Sequence, residues 1–223
     1  KAADEQELGP SAAEILIQAN LTDSQARQLE QQLSVDFVYT QSAADGGSLR
    51  YRANAYFASR HLVLNMRAIN AKLFDYGMYG FHPNVTRLLS LAHSREGLVL
   101  VTGITGSGKS STLDAIIDLN NRTVAGHIVI VASPVEYLHQ PEKCLIRHRE
   151  VGHDTRSFKH GTIEALRQDP DIIVIGEMRD AETIQAGLEA ADSGHKVFST
   201  LHTCSAVESV HRIIGECPAE EQN

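Results

Sequence analysis

The chain has 223 residues, of which 42% are hydrophobic and 22% are charged, and its formal net charge is −8. This length and composition suit one large or two modest globular domains and argue against a fibrous or membrane-only protein. The negative charge opposes a broad contact with a phosphate backbone, so we expect no nucleic-acid partner.

The longest apolar runs, 98–101 and 172–175, have the length of strands and are too short to span a bilayer. No cationic and apolar leader follows Lys1, so we expect no secretory signal and a cytoplasmic location. The three cysteines lack a CxxC spacing, which argues against a zinc knuckle or a disulfide framework and favours ordinary buried thiols.

The first part of the chain has the pattern of a small α+β domain. Thr22 and Gln25 have the spacing of a capping box and precede apolar residues on one helical face, which predicts a short amphipathic helix. Apolar and polar residues then alternate over 35–39 and 49–55, which predicts an antiparallel hairpin, and a third strand is expected near 62–69.

Arginines lie on the polar face of this predicted sheet, and a linker follows it. Arg50 and Arg52 are placed opposite the apolar side chains of their strand, because successive residues of a strand alternate between faces, and the third strand carries Arg67. Glycine and aromatic residues over 70–83 suggest a linker. We therefore place a domain boundary near residue 80, with an N-terminal domain over 1–80 and a second domain over 81–223.

In the second domain, apolar runs alternate with stretches of helical periodicity. We expect its strands at 98–101, 128–131, 172–175 and 197–198. Such alternation predicts an α/β fold in which a parallel sheet is wrapped by helices.

The sequence GITGSGKS, residues 103–110, fits the P-loop pattern GxxxxGK[ST] between a predicted strand and a predicted helix. Glycine lets the main chain approach closely, so backbone N–H groups bind phosphates, and the following helix adds its positive dipole end. Lys109 is expected to reach the β- and γ-phosphates of ATP, and the Ser110 hydroxyl to bind Mg²⁺. The residues expected to bind the nucleotide are Gly103, Thr105, Gly106, Ser107, Gly108, Lys109, Ser110 and Ser111. The alternative is a glycine-rich turn with an exposed lysine.

Two glutamates follow predicted strands at the edge where ligands of open α/β sheets bind. Glu177 follows the run 172–175 and is a candidate ligand of Mg²⁺, with a solvated, helix-capping glutamate as the alternative. Glu136 follows the run 128–131, and we expect it to orient or deprotonate the water that attacks the phosphate. The alternative for Glu136 is a loop residue in a surface salt bridge.

One histidine is a candidate residue of the nucleotide site, and four others form a cluster in the sequence. His202 comes just after a predicted strand, where a neutral imidazole is able to bond the γ-phosphate and report its loss; the alternative is a structural histidine. Four further histidines lie close together in the sequence: His139, His148, His153 and His160. No carboxylate or thiol partners complete a metal-binding spacing with them, so we expect solvent or interface residues.

Taken together, these motifs match a known family: the chain resembles the type IV pilus retraction ATPases, within the secretion ATPase superfamily. The resemblance covers most of the chain, and the matching segments occur in the family's order and spacing. They are RYRAN (50–54), GLVLVTGITGSGKSSTL (97–113), SPVEYLHQ (133–140), REVGHDT (149–155), ALRQDPDIIVIGEMRDAET (165–183) and GHKVFSTLHTCSA (194–206).

The resemblance implies an N-terminal PAS-like domain joined to a RecA-like P-loop core, assembled as hexamers at the cytoplasmic face of the bacterial inner membrane. Such a motor uses ATP and Mg²⁺, acts with an inner-membrane platform protein and powers the pilus retraction that underlies twitching motility. It also implies roles for individual residues. Glu136 is then the catalytic glutamate of the Asp box, Glu177 the Walker B glutamate and His202 the His-box histidine. Arg52 and Arg67 match N-domain arginines that reach the nucleotide of a neighbouring subunit; the alternative for each is a surface arginine.

The sequence also departs from the family pattern. Ala132 and Ser133 stand where the family usually has Glu-Asp, which removes two carboxylates near the proposed metal and predicts a slow ATPase. Ile163 stands where an arginine is often found, so the resemblance does not extend to one interface or nucleotide contact of the family. We further expect that the chain lacks part of the PAS-like domain and the C-terminal helical bundle of the family.

Other functions remain as alternatives. The segment HRIIGECPAEEQ, 211–222, resembles the retraction branch, and the alternatives within the superfamily are pilus assembly and type II/IV secretion. The altered Asp box also fits a nucleotide-binding regulator that hydrolyses little. A RecA-like nucleic-acid translocase would need a basic channel, which this composition does not predict.

Overall fold

The computed structural model describes residues 10–42, 48–69 and 72–216. Contacts between Cα atoms divide the chain into two units, Lys1–Asn70 and Ala71–Asn223. The division falls at residue 70 rather than near residue 80, because Tyr76 and Phe81 of the expected linker pack against the core of the second unit. Residues 217–222 of the segment compared with the retraction branch lie outside the described residues.

The first unit packs helices on one face of an antiparallel sheet with the strand order β1-β2-β3. Its elements are helices α1 (Pro10–Asn20) and α2 (Asp23–Gln32) and strands β1 (Ser34–Ser42), β2 (Ser48–Ala58) and β3 (His61–Ala68). The predicted capping box is present: the Thr22 hydroxyl accepts from the Gln25 amide, and the Gln25 side chain accepts from the Thr22 amide. This reciprocal pair satisfies two backbone donors and starts α2 at Asp23.

Apolar and polar side chains alternate along the strands, and the helices cover the face that carries the apolar ones. The core of the first unit is formed by side chains from both helices and the inner face of the sheet: Ile17, Leu29, Val35, Phe37, Ala53 and Ala55. Arg52, one position before Ala53 along β2, points to the opposite face and is exposed. The predicted hairpin and third strand are therefore confirmed, together with the polar face.

The second unit contains a parallel five-stranded sheet with the order β4-β8-β7-β5-β6. Its strands are β4 (Gly97–Thr102), β5 (Gly126–Ala132), β6 (Cys144–Glu150), β7 (Ile172–Ile175) and β8 (Lys196–Leu201). Its helices are a 3-10 turn (Tyr76–Tyr79), α3 (Pro83–Leu89), α4 (Lys109–Thr123), α5 (Phe158–Ala165), α6 (Ala181–Asp192) and α7 (Ala206–Glu216). This arrangement confirms the predicted α/β, RecA-like core.

Both faces of the central strands of this sheet are buried. Ile128 and Ile130 of β5 share one apolar cluster with Ile116 of α4, whereas Val129 lies in a second cluster with Ile184 of α6. Each such aliphatic side chain contributes about 1.5–3 kcal/mol when it leaves water, so the two clusters hold helices against both faces. The carboxyl ends of the strands are thereby fixed at one edge of a rigid sheet.

The strand β6 was not expected from the sequence. Its residues alternate between buried and exposed at its start, and it pairs only with β5 among the described strands. An edge strand with one polar face lacks the continuous apolar run that marks β5 and β7. Among the described residues, no helix is both long and apolar enough to cross a membrane.

Candidate functional site

The segment between β4 and α4 has the backbone conformation of a phosphate-binding loop. Gly103, Gly106 and Gly108 have φ values of +153°, +80° and +91°. Gly108 is the N-cap of α4, and since glycine has no side chain to cap the helix, the first amides of α4 face the loop. Free helix amides with the positive end of the dipole form a binding site for anions such as phosphate.

Lys109, the first residue of α4, folds back into this loop. Its Nζ donates to the carbonyl oxygens of Gly103 at 2.9 Å and Ile104 at 3.0 Å, and the residue is only 9% exposed. The same Nζ lies 3.4 Å from Nδ1 of His202. The loop therefore holds a positive charge at its centre, within reach of the residue that follows β8.

His202 links Lys109 to a carboxylate. Because an ammonium group only donates, Nδ1 of His202 accepts from Lys109, and Nε2 carries the hydrogen. Nε2 lies 3.0 Å from Oε1 of Glu177, and Oε2 of Glu177 lies 2.7 Å from Nη2 of Arg179. The result is a chain of polar contacts from the loop lysine through His202 to Glu177 and Arg179.

The electrostatic surroundings keep Glu177 ionised. Burial acts to raise the pKa of its carboxyl group, but the hydrogen bond and charge of Arg179, together with His202 and Lys109, hold the pKa below its ordinary value. The side chain is 17% exposed. Glu177 thus offers a negative charge that is linked through His202 to Lys109 of the loop.

Sheet order explains how residues far apart in the sequence meet. The loop follows β4, His202 follows β8, Glu177 follows β7 and Glu136 follows β5, and these four strands are adjacent and parallel in that order. All four therefore lie at the carboxyl edge of the sheet. The contacts join Lys109, His202 and Glu177 directly, and Glu136 is exposed in the segment 133–143 between β5 and β6.

The residues present fit a magnesium ion held together with nucleotide phosphates. Ser110 is exposed at the start of α4, and Glu177 is an ionised carboxylate, so both supply the oxygen ligands that Mg²⁺ prefers. The described residues contain no group of three or more histidine, cysteine or acidic side chains able to form a metal cage. Mg²⁺ needs no such cage, since it takes most of its ligands from water and phosphate.

A cavity of about 320 Å³ borders the loop and the first turns of α4. Its walls are formed by Ser107, Gly108, Ser111 and Thr112 on one side and by the aromatic segment before α3, which contributes Phe74, Met78 and Tyr79. Apolar and aromatic walls next to a phosphate loop suit a flat ring and its sugar.

In the first unit, Arg52 and Arg67 face each other. They are directly paired in the register of β2 and β3, and both are exposed. Neither forms a salt bridge within the part of the chain that the structure describes. Like charges opposite one another on a sheet repel, so this pair is costly unless an anion binds between them.

Two expectations about other side chains are wrong. His139 was placed in solvent or at an interface, yet it is 3% exposed and its Nε2 lies 3.1 Å from Oδ1 of Asp114 on α4. The sequence gives no signal for this contact, because its two partners are 25 positions apart. Cys144 is buried as expected, but Cys204 is exposed, and Cys217 lies outside the described residues.

The sequence profile of one family, described as "Type II/IV secretion system protein", matches residues 16–215. The chain is 42% identical over 207 residues to the type IV pilus retraction ATPase PilT of Pseudomonas aeruginosa, covering 93% of this chain and 58% of that protein. It is 40% identical over 214 residues to a twitching motility protein of Neisseria gonorrhoeae, covering 95% of this chain and 55% of that protein.

A solved structure agrees with these sequence matches. The crystal structure of the pilus retraction motor PilT with bound ADP is similar to this chain with a TM-score of 0.80 and 38% sequence identity. The similarity covers 94% of this chain and 59% of that one. The chain therefore spans a little more than half the length of the relatives that it matches.

Proposed function

Because the chain belongs to the family of type II/IV secretion system proteins, we propose that it is a P-loop ATPase and a motor subunit for retraction of type IV pili. The observation that carries the proposal is the contact of Lys109, in the phosphate loop, with His202 and through it with Glu177. Retraction, rather than pilus assembly or secretion, is supported by the similarity to a pilus retraction ATPase.

The first step is binding of the ATP phosphates. The amides at the start of α4 and the Lys109 ammonium group hold the β- and γ-phosphates, since a charged phosphate oxygen is a stronger acceptor than the carbonyls of Gly103 and Ile104. Base and ribose occupy the cavity beside Ser111 and Tyr79. Ser110 and Glu177 would hold Mg²⁺, which would supply positive charge next to the phosphates.

Hydrolysis then needs a base for the attacking water. Glu136 follows β5 at the same sheet edge and is exposed, and we assign its carboxylate the role of taking the proton from water. His202 responds to the γ-phosphate through Lys109: when the phosphate draws the ammonium group away, Nδ1 of His202 loses its donor. The hydrogen bonding of the imidazole thereby depends on the state of the nucleotide, and the same imidazole contacts Glu177.

We further propose that the working form is a hexamer in which Arg52 and Arg67 act on the nucleotide of a neighbouring subunit. Their mutual repulsion on an exposed face favours an anion between them. An inserted arginine accelerates phosphoryl transfer by about 10³-fold or more in systems that use one. Such rings would act at the cytoplasmic face of the inner membrane on a platform protein, coupling the chemistry to domain movement.

The experiment is a complementation assay with the purified chain. Lys109→Ala removes the charge that binds phosphate, and Arg52→Ala removes the charge supplied to the neighbour, so each variant alone should hydrolyse ATP poorly. Mixed rings contain some sites with an intact lysine and an intact arginine, so phosphate release should recover in part. If mixed rings form, as shown by native mass spectrometry, and stay inactive, the arginine does not act between subunits.

The second candidate, a regulator that binds nucleotide and hydrolyses little, is favoured by one observation. Ala132 ends β5 and Ser133 follows it, and neither supplies the carboxylate that the family pattern has there. A purified wild-type ring that binds ATP but releases no phosphate would support the regulator and contradict the motor.

A further inference from the structure

The segment 133–143, which carries Glu136, is joined to the P-loop helix by a buried histidine that the proposed chemistry does not use. His139 lies three residues after Glu136, and its side chain is 1% exposed. Its Nε2 lies 3.1 Å from Oδ1 of Asp114, whose side chain is 21% exposed. A carboxylate only accepts hydrogen bonds, so Nε2 of His139 carries the hydrogen and donates it to Asp114.

The ring of His139 is also held from other sides. The Tyr137 ring meets it edge-on with 4.7 Å between centroids, and the His148 ring lies parallel to it at 6.2 Å. The backbone amide of His139 donates to Nε2 of His148 at 3.2 Å. The ring is therefore packed between two other rings, and its contact with Asp114 joins the segment to α4.

Asp114 lies near the start of α4, close to the phosphate loop. Asp114 follows Ser110 by four residues, so the two side chains occupy the same face of α4 one turn apart. The segment also contacts the far end of α4, where the side chain of Asn121 binds the Gln140 carbonyl and the Glu142 amide. Asn121 lies almost two further turns along the helix, so the contact of His139 is nearer to the phosphate loop than that of Asn121.

We propose that Asp114 and His139 form a positioning pair, which fixes the Glu136 carboxylate at a set distance from the phosphate bound at Lys109. The proposal rests on the function proposed above, in which Glu136 is the base. Before Glu136 the segment is held by Val135, whose amide donates to Glu150 at 3.1 Å, and this anchor does not involve α4. The contact of His139 with Asp114 links the segment that carries the base to the helix that begins at the phosphate loop.

The pair acts through Glu136 and touches no substrate, so its loss should change turnover more than binding. A base must lie within hydrogen-bond reach of the water that it deprotonates, and a displacement of about 1 Å costs about 10²-fold in rate. Asp114→Ala should therefore lower kcat by about 10- to 100-fold while the Kd for ATP changes less than about twofold. Asp114→Asn keeps an oxygen that accepts from His139, so it should restore most of kcat.

The test measures kcat, KM, ATP affinity and thermal unfolding on the assembled full chain. Arg122→Ala serves as the control, since Arg122 pairs with Glu142 at 3.4 Å near the other end of the same segment and is half exposed. It should leave kcat unchanged. The decisive comparison places Asp114→Ala in a Glu136→Gln background, where a pair that acts through Glu136 should lower turnover by less than about twofold further.

Several results would overturn the proposal. A folded Asp114→Ala ring with wild-type kcat would do so, as would a loss in the Glu136→Gln background equal to that in the wild type, because the pair would then act elsewhere. A Kd for ATP that rises as much as kcat falls would assign the pair to the binding site. If Glu136→Gln itself turns over at the wild-type rate, Glu136 is not the general base. The proposed function is then wrong, and the positioning role of Asp114 and His139 is wrong with it.

Discussion

Replacing Gly103 by alanine perturbs the phosphate loop at a backbone angle that residues with a Cβ atom rarely adopt. The φ value of Gly103 is +153°, and an added Cβ would lie 2.5 Å from Oγ of Ser107. The backbone strain is about 1–3 kcal/mol, and Ser107 must also turn away. Because this strain applies when nucleotide holds the loop in its binding conformation, the affinity for ATP should fall by about 5- to 150-fold.

Gly97 provides the matched control. Its φ value is +97°, and no described heavy atom beyond its chain neighbours lies within 4 Å of an added Cβ. Gly97→Ala should therefore lower the thermal stability but leave the affinity for ATP unchanged, as measured by titration calorimetry with both variants. If Gly103→Ala binds ATP as tightly as the wild type, or if both variants lose affinity equally, the loop conformation described here is not the one that binds phosphate.

Three further predictions concern charged residues. Lys109→Ala should abolish tight ATP binding without unfolding the protein, because within the described part of the chain Nζ bonds only loop carbonyls and His202; circular dichroism and binding of a fluorescent ATP analogue test this. For Arg52, ring formation predicts that wild-type activity per subunit rises steeply with protein concentration, whereas Arg52→Ala stays low throughout; dilution-independent wild-type activity would contradict this. The pKa of Glu177 lies below its ordinary value, so its contribution to stability is present above the unfolded pKa, about 4.3, and is lost as the pH falls through the folded pKa. Arg179→Ala should move this loss of stability to higher pH, as measured by urea unfolding between about pH 3 and 6. A free energy of unfolding with the same pH dependence as the wild type would argue against the pair of Arg179 and Glu177.

The parts of the fold that follow from local sequence could be predicted. The capping box at Thr22 and Gln25 depends on residues three apart, and the strands β5 and β7 are continuous apolar runs buried on both faces. The phosphate loop is equally local, since its glycines and Lys109 are contiguous. Such features are predictable because the interactions that produce them lie within one turn or one strand.

The contacts between distant residues could not be predicted in the same way. Lys109 and His202 are 93 positions apart, and their contact depends on β8 lying next to β4 in the sheet. The burial of His139 depends on Asp114, on a helix that precedes it. The edge strand β6 was not predicted because its polar and charged residues interrupt the apolar run by which a buried strand is recognised. Strand order and side-chain partners are properties of the assembled sheet, which no short window of sequence contains.

The central claim is that this site hydrolyses ATP with Glu136 as the base. The most direct measurement is a single-turnover experiment in which assembled wild-type and Glu136→Gln rings are mixed with γ-labelled ATP and Mg²⁺, and bound ATP and released phosphate are followed together. We expect both proteins to bind ATP with similar affinity, the wild type to release phosphate, and Glu136→Gln to hold intact ATP with cleavage slower by about 10²-fold or more. Cleavage by Glu136→Gln at the wild-type rate, or no cleavage by the wild type, would contradict the account.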